Sequence, residues 1–310
     1  MILCLGTTPT LARTMAFDAL KIDDVNRAAA VADYAAGKNV NVARVLTTLG
    51  VPAAAIGFLG GPRAAAMRAD LDTAYISHAF LDIDAPTRLC ITVVDRAAKT
   101  ATELIEESSK VTKTDPPRLL KQLDKLLEPA NLLVLSGSLA PGVPAAFYRD
   151  CVALAGQRGV RTIVDAVGEP LTLSLPAKPF VVKPNRSELS RTVGRPIESD
   201  EHLRRAISEL IALGPSWAVV TLGKDGAVVS DGRSFWRVNA PPVEPVSAIG
   251  SGDSFAAGLA AGIVRGQAVQ DAAVLATACG VANTQTERSG HLTRAMVDRL
   301  RTQVKVEPWA

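Results

Sequence analysis

Residues 132–138 read LLVLSGS. Four consecutive apolar side chains, ended at once by a serine–glycine–serine turn, describe a short strand buried on both faces. The pattern recurs at 162–164 before Asp165, at 180–182 before Lys183-Pro184-Asn185, and at 217–221 before Leu222-Gly223-Lys224-Asp225-Gly226. Residues 2–5 and 53–58 are strands of the same kind, and helix-period stretches lie at 117–127, 144–157, 200–213 and 267–284. Strand–helix alternation predicts an α/β fold, with a mostly parallel sheet covered by helices on both faces. In such a sheet all strands end on one edge, and ligands bind in the crevice outside it. Four polar or glycine-rich loops therefore converge there.

Two regions break the alternation. Residues 9–36 and 86–107 carry alternating patterns with no helix between them, and 88–95 with 100–106 reads as a hairpin around a polar turn. These pieces are expected to form a small sheet, a lid or an interface, on a core of residues 1–8, 37–85 and 108–310. An inert surface hairpin is the alternative.

Composition removes several function classes. The net charge is 34 − 31 = +3 and aromatic residues are only 4%. Neither value suits a nucleic-acid or membrane surface. The four cysteines, Cys4, Cys90, Cys151 and Cys279, are scattered without a C-x-x-C pair. A disulfide framework or zinc site is not expected, and a reducing cytoplasm is the expected compartment. The N-terminal MILCLGTTPT lacks a charged leader segment and reads as a strand, not a signal peptide. No apolar run approaches membrane-spanning length.

Residues 248–258, AIGSGDSFAAG, surround one carboxylate with small residues and then turn apolar. A glycine turn opening a helix is a ready anion site, because unpaired N–H groups and the helix dipole face the incoming charge. A carboxylate there fits a group that accepts a proton while the N–H groups hold a phosphate. An aspartate N-cap is the plainer alternative. Gly37-Lys38-Asn39-Val40-Asn41 is another glycine-to-helix junction, either a cationic ligand contact or an ordinary helix start. Lys183-Pro184-Asn185-Arg186-Ser187-Glu188 places an amide and a carboxylate three residues apart, facing one hydrated Mg²⁺ or capping a helix. No Walker A sequence is present, and Phe255 occupies the third glycine position of a dinucleotide fingerprint.

Taken together, GKNVNVARVLTTLG, LSGSLAPGVP, VDAVGEPL, KPNRSEL and APPVEPVSAIGSGDSFAAG, in that order along the chain, resemble the PfkB (ribokinase-like) sugar kinases. The closer likeness is to the hexose-phosphate branch: 1-phosphofructokinase, tagatose-6-phosphate kinase and the minor 6-phosphofructokinase. The resemblance implies a three-layer α-β-α core with a small β lid, and ATP with Mg²⁺. It implies Asp253 as catalytic base, with the Gly250, Ser251 and Gly252 N–H groups as the anion hole. Lys183, Asn185, Thr221, Gly223, Gly226 and Asn283 fall on the nucleotide side by the same resemblance. Asn185 and Glu188 would organise Mg²⁺ through water and phosphate. Gly37, Lys38, Asn41, Arg88 and Ser138 would meet the sugar phosphate. Relatives pair through the lid, so a homodimer is expected.

Departures concentrate on the substrate side. Thr8 stands where asparagine is usual, Ala12 where a sugar-contacting aspartate is usual, and Asn39 where glycine is usual. Ala166 and Val167 replace two hydroxyl residues, and Ala248 replaces the signature threonine. The expectation is an ATP-dependent kinase of a ketohexose monophosphate. The alternatives are a relative acting on an unphosphorylated sugar or nucleoside, or a non-catalytic ligand-binding relative.

Overall fold

The computed structural model describes residues 1–309. Strand β1 (Ile2–Leu5) is wholly buried and is followed by β2 (Thr10–Phe17) and β3 (Ala30–Ala36). Then come α1 (Lys38–Thr48), β4 (Ala53–Leu59), α2 (Pro62–Thr73) and β5 (Ser77–Asp82). A hairpin of β6 (Arg88–Asp95) and β7 (Thr100–Ile105) leads to α3 (Asp115–Leu127), β8 (Leu132–Ser136), α4 (Phe147–Gln157) and β9 (Arg161–Asp165). Next are α5 (Gly168–Ser174), the two-residue β10 (Val181–Val182), α6 (Arg186–Val193), α7 (Asp200–Ala212) and β11 (Trp217–Thr221). The chain closes with β12 (Ala227–Ser230), β13 (Phe235–Asn239), α8 (Ser251–Val264), α9 (Val269–Thr284), α10 (Arg294–Arg301) and β14 (Lys305–Pro308).

The large sheet has the order β14-β13-β12-β11-β10-β9-β8-β1-β4-β5. From β11 to β5 every neighbour pair is parallel, while β12, β13 and β14 extend one edge antiparallel. That antiparallel edge was not expected from the sequence, nor were β5 and α2. Along β8, Leu132 and Val134 join a core with residues of α1, α2, α8, α9 and α10, whereas Leu133 and Leu135 join one with α3 to α7. The strands are thus buried on both faces, as their unbroken apolar runs require. The chain proceeds from β1 outward through β4 and β5, then returns to β8 and runs the other way. The crevice between the carboxyl ends of β1 and β8 is therefore the topological switch point, where ligands of such sheets bind.

The second sheet has four strands, in the order β3-β2-β6-β7. On the core side, α8 and α9 pack almost backbone to backbone. A β-carbon on Gly258 would lie 2.7 Å from the Ala276 Cα, and one on Gly262 would lie 2.5 Å from the Ala272 Cβ. Only glycine permits that approach.

Candidate active site

Helix α8 begins at Gly250, which takes a left-handed conformation (φ 79°) and offers no side-chain cap. A β-carbon there would sit 2.4 Å from the Ser289 Cβ. The Ser251 N–H turns back to the Ala248 carbonyl at 3.2 Å, so it is already bonded. Among the described residues, the Gly252 and Asp253 N–H groups have no protein acceptor. The sequence reading put Gly250, Ser251 and Gly252 in the anion hole; among the described residues the Gly250 and Gly252 N–H groups are open, the Asp253 N–H joins them, and only the Ser251 N–H is taken. The tight turn that sets α8 spends the Ser251 donor.

Asp253 is not the N-cap of α8. It lies within the first turn, buried, and its Oδ2 accepts a 2.7 Å bond from the Asn41 Nδ2 of α1. Burial pushes its carboxyl up to about 6, against the pull of Lys38 and of the Asn41 bond; Asp165 adds to the rise and Lys183 opposes it. A carboxylate with this affinity for a proton is ionised at neutral pH and still a competent acceptor, which suits a general base. Asn41, expected on the sugar, is engaged with this carboxylate, while its Oδ1 has no partner.

Lys183 follows β10 directly, its N–H bonded to the Val164 carbonyl, and its side chain is buried. Its Nζ lies 3.9 Å from the position of a β-carbon on Gly252, and 3.2 Å from the Asp165 Oδ1. Asp165, the last residue of β9, was not picked out as a site residue. The signal was available, since it is the first polar residue after an apolar strand on the ligand edge. Lys38, directly after the Gly37 cap of α1, lays its stem over Gly137, 3.7 Å from a β-carbon placed there. Its ammonium is held well above the usual lysine range by Asp165 first, then by Asp253 and Glu188. Two lysines and two aspartates thus gather at the switch point.

Asn185 and Glu188 form a reciprocal capping box at the start of α6, with both bonds at 2.8 Å. The Asn185 Nδ2 and the second Glu188 oxygen make no protein bond among the described residues. Thr221 pairs with this segment through an Asn185–Thr221 bridge, and its N–H donates to the Pro184 carbonyl. Gly223 and Gly226 bound a one-turn helix between β11 and β12. No β-carbon contact would occur at Gly223, whereas Gly226 lies against the Val238 carbonyl. Asn283 presents no surface. Its Oδ1 accepts from Ser254 Oγ and the Gly290 N–H, and its Nδ2 donates to the Ile249 carbonyl. It ties the loop before α8 to the loop after α9.

On the sugar side, Ser138 is exposed at the end of β8. The Arg88 guanidinium donates to the Thr8 and Glu106 carbonyls at 3.1 and 3.3 Å, leaving its Nε unpartnered. It shares a cleft with Thr8, Thr87, Ser108 and Ser109. Asn39 does not crowd this cleft: its side chain is buried and donates to the Ile56 carbonyl at 2.8 Å. Ala12 sits in a small apolar cluster with Tyr34 and Ala36. Ala166 packs into the core, and Val167 precedes α5 without capping it.

A doubly covered parallel sheet, with a buried carboxylate and open N–H groups at one helix start, is an arrangement suited to phosphoryl transfer. The pfkB family carbohydrate kinase model matches residues 1–295, and the chain belongs to that family. It is accordingly a sugar kinase. Among solved structures it is similar to a Staphylococcus aureus protein provisionally named a phosphofructokinase. That match has 30% identity and a TM-score of 0.84, over 100% of this chain and 99% of that one. Phosphofructokinase-2 of Escherichia coli, solved in complex with fructose-6-phosphate, is 26% identical with a TM-score of 0.89, over 97% of this chain and 98% of that one. A possible 1-phosphofructokinase of Thermotoga maritima shares the fold at 23% identity and a TM-score of 0.91, over 100% of this chain and 99% of that one. Among the described residues, no helix is long and apolar enough to cross a membrane.

Proposed function

We propose that the protein transfers the γ-phosphoryl group of ATP to a hydroxyl of a ketohexose monophosphate: fructose 1-phosphate, fructose 6-phosphate or tagatose 6-phosphate. The observation that carries this reading is the buried Asp253 carboxylate in the first turn of α8, beside open N–H groups and the Lys183 ammonium. The likeness to an enzyme solved with fructose-6-phosphate supports the sugar-phosphate class.

Asp253 takes the proton of the acceptor hydroxyl as that oxygen bonds to the γ-phosphorus. The bond from phosphorus to the β–γ bridging oxygen breaks, and its electron pair leaves with ADP. The Gly252 and Asp253 N–H groups and Lys183 hold the charge that spreads over the transferring oxygens, since this chemistry is mostly positioning and charge stabilisation. Thr221, Gly223 and Gly226 shape the nucleotide side. The unpartnered Glu188 oxygen would hold a hydrated Mg²⁺, which would neutralise phosphate charge when bound, and the free Asn185 Nδ2 would donate to a phosphate oxygen beside it. Gly37, Lys38, Arg88 and Ser138 face the acceptor. Asn41 fixes the base.

The small sheet, from residues 9–36 and 86–107, closes over the acceptor and excludes water that would otherwise take the phosphoryl group. Its register puts Met15, Val31, Ile91, Val93 and Leu104 on one face, with Val31 56% and Leu104 55% exposed. Two copies pair through that face in this reading. Sedimentation is expected to give a dimer for the wild type and a monomer for Val31→Asp/Leu104→Asp. A monomeric wild type would remove the pairing.

The function is tested with an ADP-release assay on Mg-ATP and fructose 1-phosphate, fructose 6-phosphate, tagatose 6-phosphate, fructose, ribose and adenosine. Turnover on a phosphorylated ketohexose is expected, and Arg88→Ala should raise its KM about tenfold or more while leaving the KM for ATP within about twofold. Equal effects on both would remove Arg88 from phosphate recognition. The apolar surroundings of Ala12 favour a second reading, a neutral sugar or nucleoside acceptor. Activity only on a neutral alcohol would select it, and ATP binding without any turnover would select a non-catalytic relative.

A further inference from the structure

Buried ion pairs seldom add net stability, because desolvating two charges offsets their attraction, and an apolar pair would join the strands as well. The Asp165–Lys183 pair is of this kind, at 3.2 Å with both side chains no more than 4% exposed. It is also incomplete, since the Asp165 Oδ2 has no hydrogen-bond partner. The pair joins the ends of β9 and β10 directly beneath the first turn of α8. Among the described residues, the only other buried carboxylate within reach of the two lysines is Asp253, the residue that must stay free to accept a proton.

We propose that Asp165 is a positioning residue for phosphoryl transfer, holding Lys183 beside the α8 N-terminus and away from Asp253 until the transferring group draws the ammonium over. The inference rests on the kinase reading above. Lys38 and Lys183 approach from opposite elements, α1 and the end of β10, and Asp165 lies between them. Their two positive charges balance Asp165 and Asp253. With Asp165 in place both lysines are drawn to it first, and the base keeps its affinity for a proton. As phosphoryl oxygens arrive, Lys183 exchanges one anion for another without crossing water. The unpartnered Oδ2 is the open position through which Lys38 steadies Asp165 once Lys183 has moved.

Asp253 is faced by Lys38 and Asn41 of α1, by Asp165 of β9 and by Lys183 after β10, so its titration reports on this arrangement. Two measurements test it. The first follows the Asp253 carboxyl by ¹³C NMR in the ligand-free protein, without reference to turnover. Asp165→Asn should move its titration to lower pH, and Lys183→Met should move it to higher pH. The second is a double-mutant cycle in kcat. Asp165→Asn alone should lower kcat at least about tenfold, with the KM for ATP changed less than about threefold. In the Lys183→Met background the same change should alter kcat less than about twofold, because its effect passes through Lys183. The double variant has no unpaired buried charge and remains testable if Asp165→Asn does not fold. Independent, multiplicative losses in kcat, or an Asp253 titration unmoved by Asp165→Asn, would overturn the proposal. A wild type silent on every acceptor would overturn the kinase reading instead, and the NMR result would stand apart from it.

Discussion

Asp253→Asn is expected to bind ATP normally and to lose about a thousandfold in kcat, within the range general-base groups contribute. The replacement is isosteric, and the Asn41 amide can still meet its oxygen, so the fold has no reason to change. What disappears is the group that accepts the proton. The pH profile gives the second half of the result. The base works deprotonated, and burial raises its carboxyl from 3.8 to about 6. In the wild type kcat/KM for the acceptor should therefore climb about tenfold per pH unit up to about pH 6 and then level off. In Asp253→Asn that limb should be absent. Turnover within about tenfold of wild type, or the same acid limb in the variant, would remove Asp253 from the base role.

Gly250→Ala is expected to be the most damaging small substitution near the site. Its β-carbon would overlap Ser289, and φ 79° is a conformation that alanine adopts only under strain. The strain alone costs about 1–3 kcal/mol. Relief of the overlap must shift the start of α8, and a displacement of about 1 Å at a reacting centre can cost on the order of a hundredfold in rate. A melting curve should therefore show a clear loss of stability, accompanied by a fall in kcat. Gly252→Ala is the control: its β-carbon would meet only the Lys183 Nζ, at 3.9 Å, so its melting temperature should stay near wild type. Equal stability of the two variants would contradict the account of this turn.

Much of the fold was legible in the residues themselves. The runs at 132–135 and 217–221 declare buried parallel strands, because a strand covered on both faces has no polar side to alternate with. The polar turns at their carboxyl ends mark the ligand edge. The antiparallel edge was not legible: β12 and β13 are short and joined by turns, which reads equally well as a surface hairpin. Helix α2 buries only Met67 and Leu71, too narrow a stripe for periodicity to reveal. At the site, residue type located Asp253 and Lys183 but not their relations. Asp165 looked like a strand terminator until its distance to Lys183 was known. Ser251 looked like an anion donor because local sequence does not say which N–H a tight turn will satisfy internally. Asn283 lies at the right place in the chain for the nucleotide, yet its hydrogen bonds hold loops.

The contact between α8 and α9 bears on how this protein can change over generations. Asp253 is set by two helices touching at Gly258 and Gly262, with no intervening side chains whose replacement could be compensated by repacking. Nearly every mutation at those positions pushes α8 bodily off its support. Thr8 and Ala12, by contrast, lie on the loop after β1 and in the small sheet, where Thr8 lines a cleft and Ala12 packs on Tyr34, and single replacements leave the helix pair alone. Selection for a new acceptor should accumulate changes in that second region, and a random library screened for any activity should return α8 and α9 almost unaltered along their shared seam.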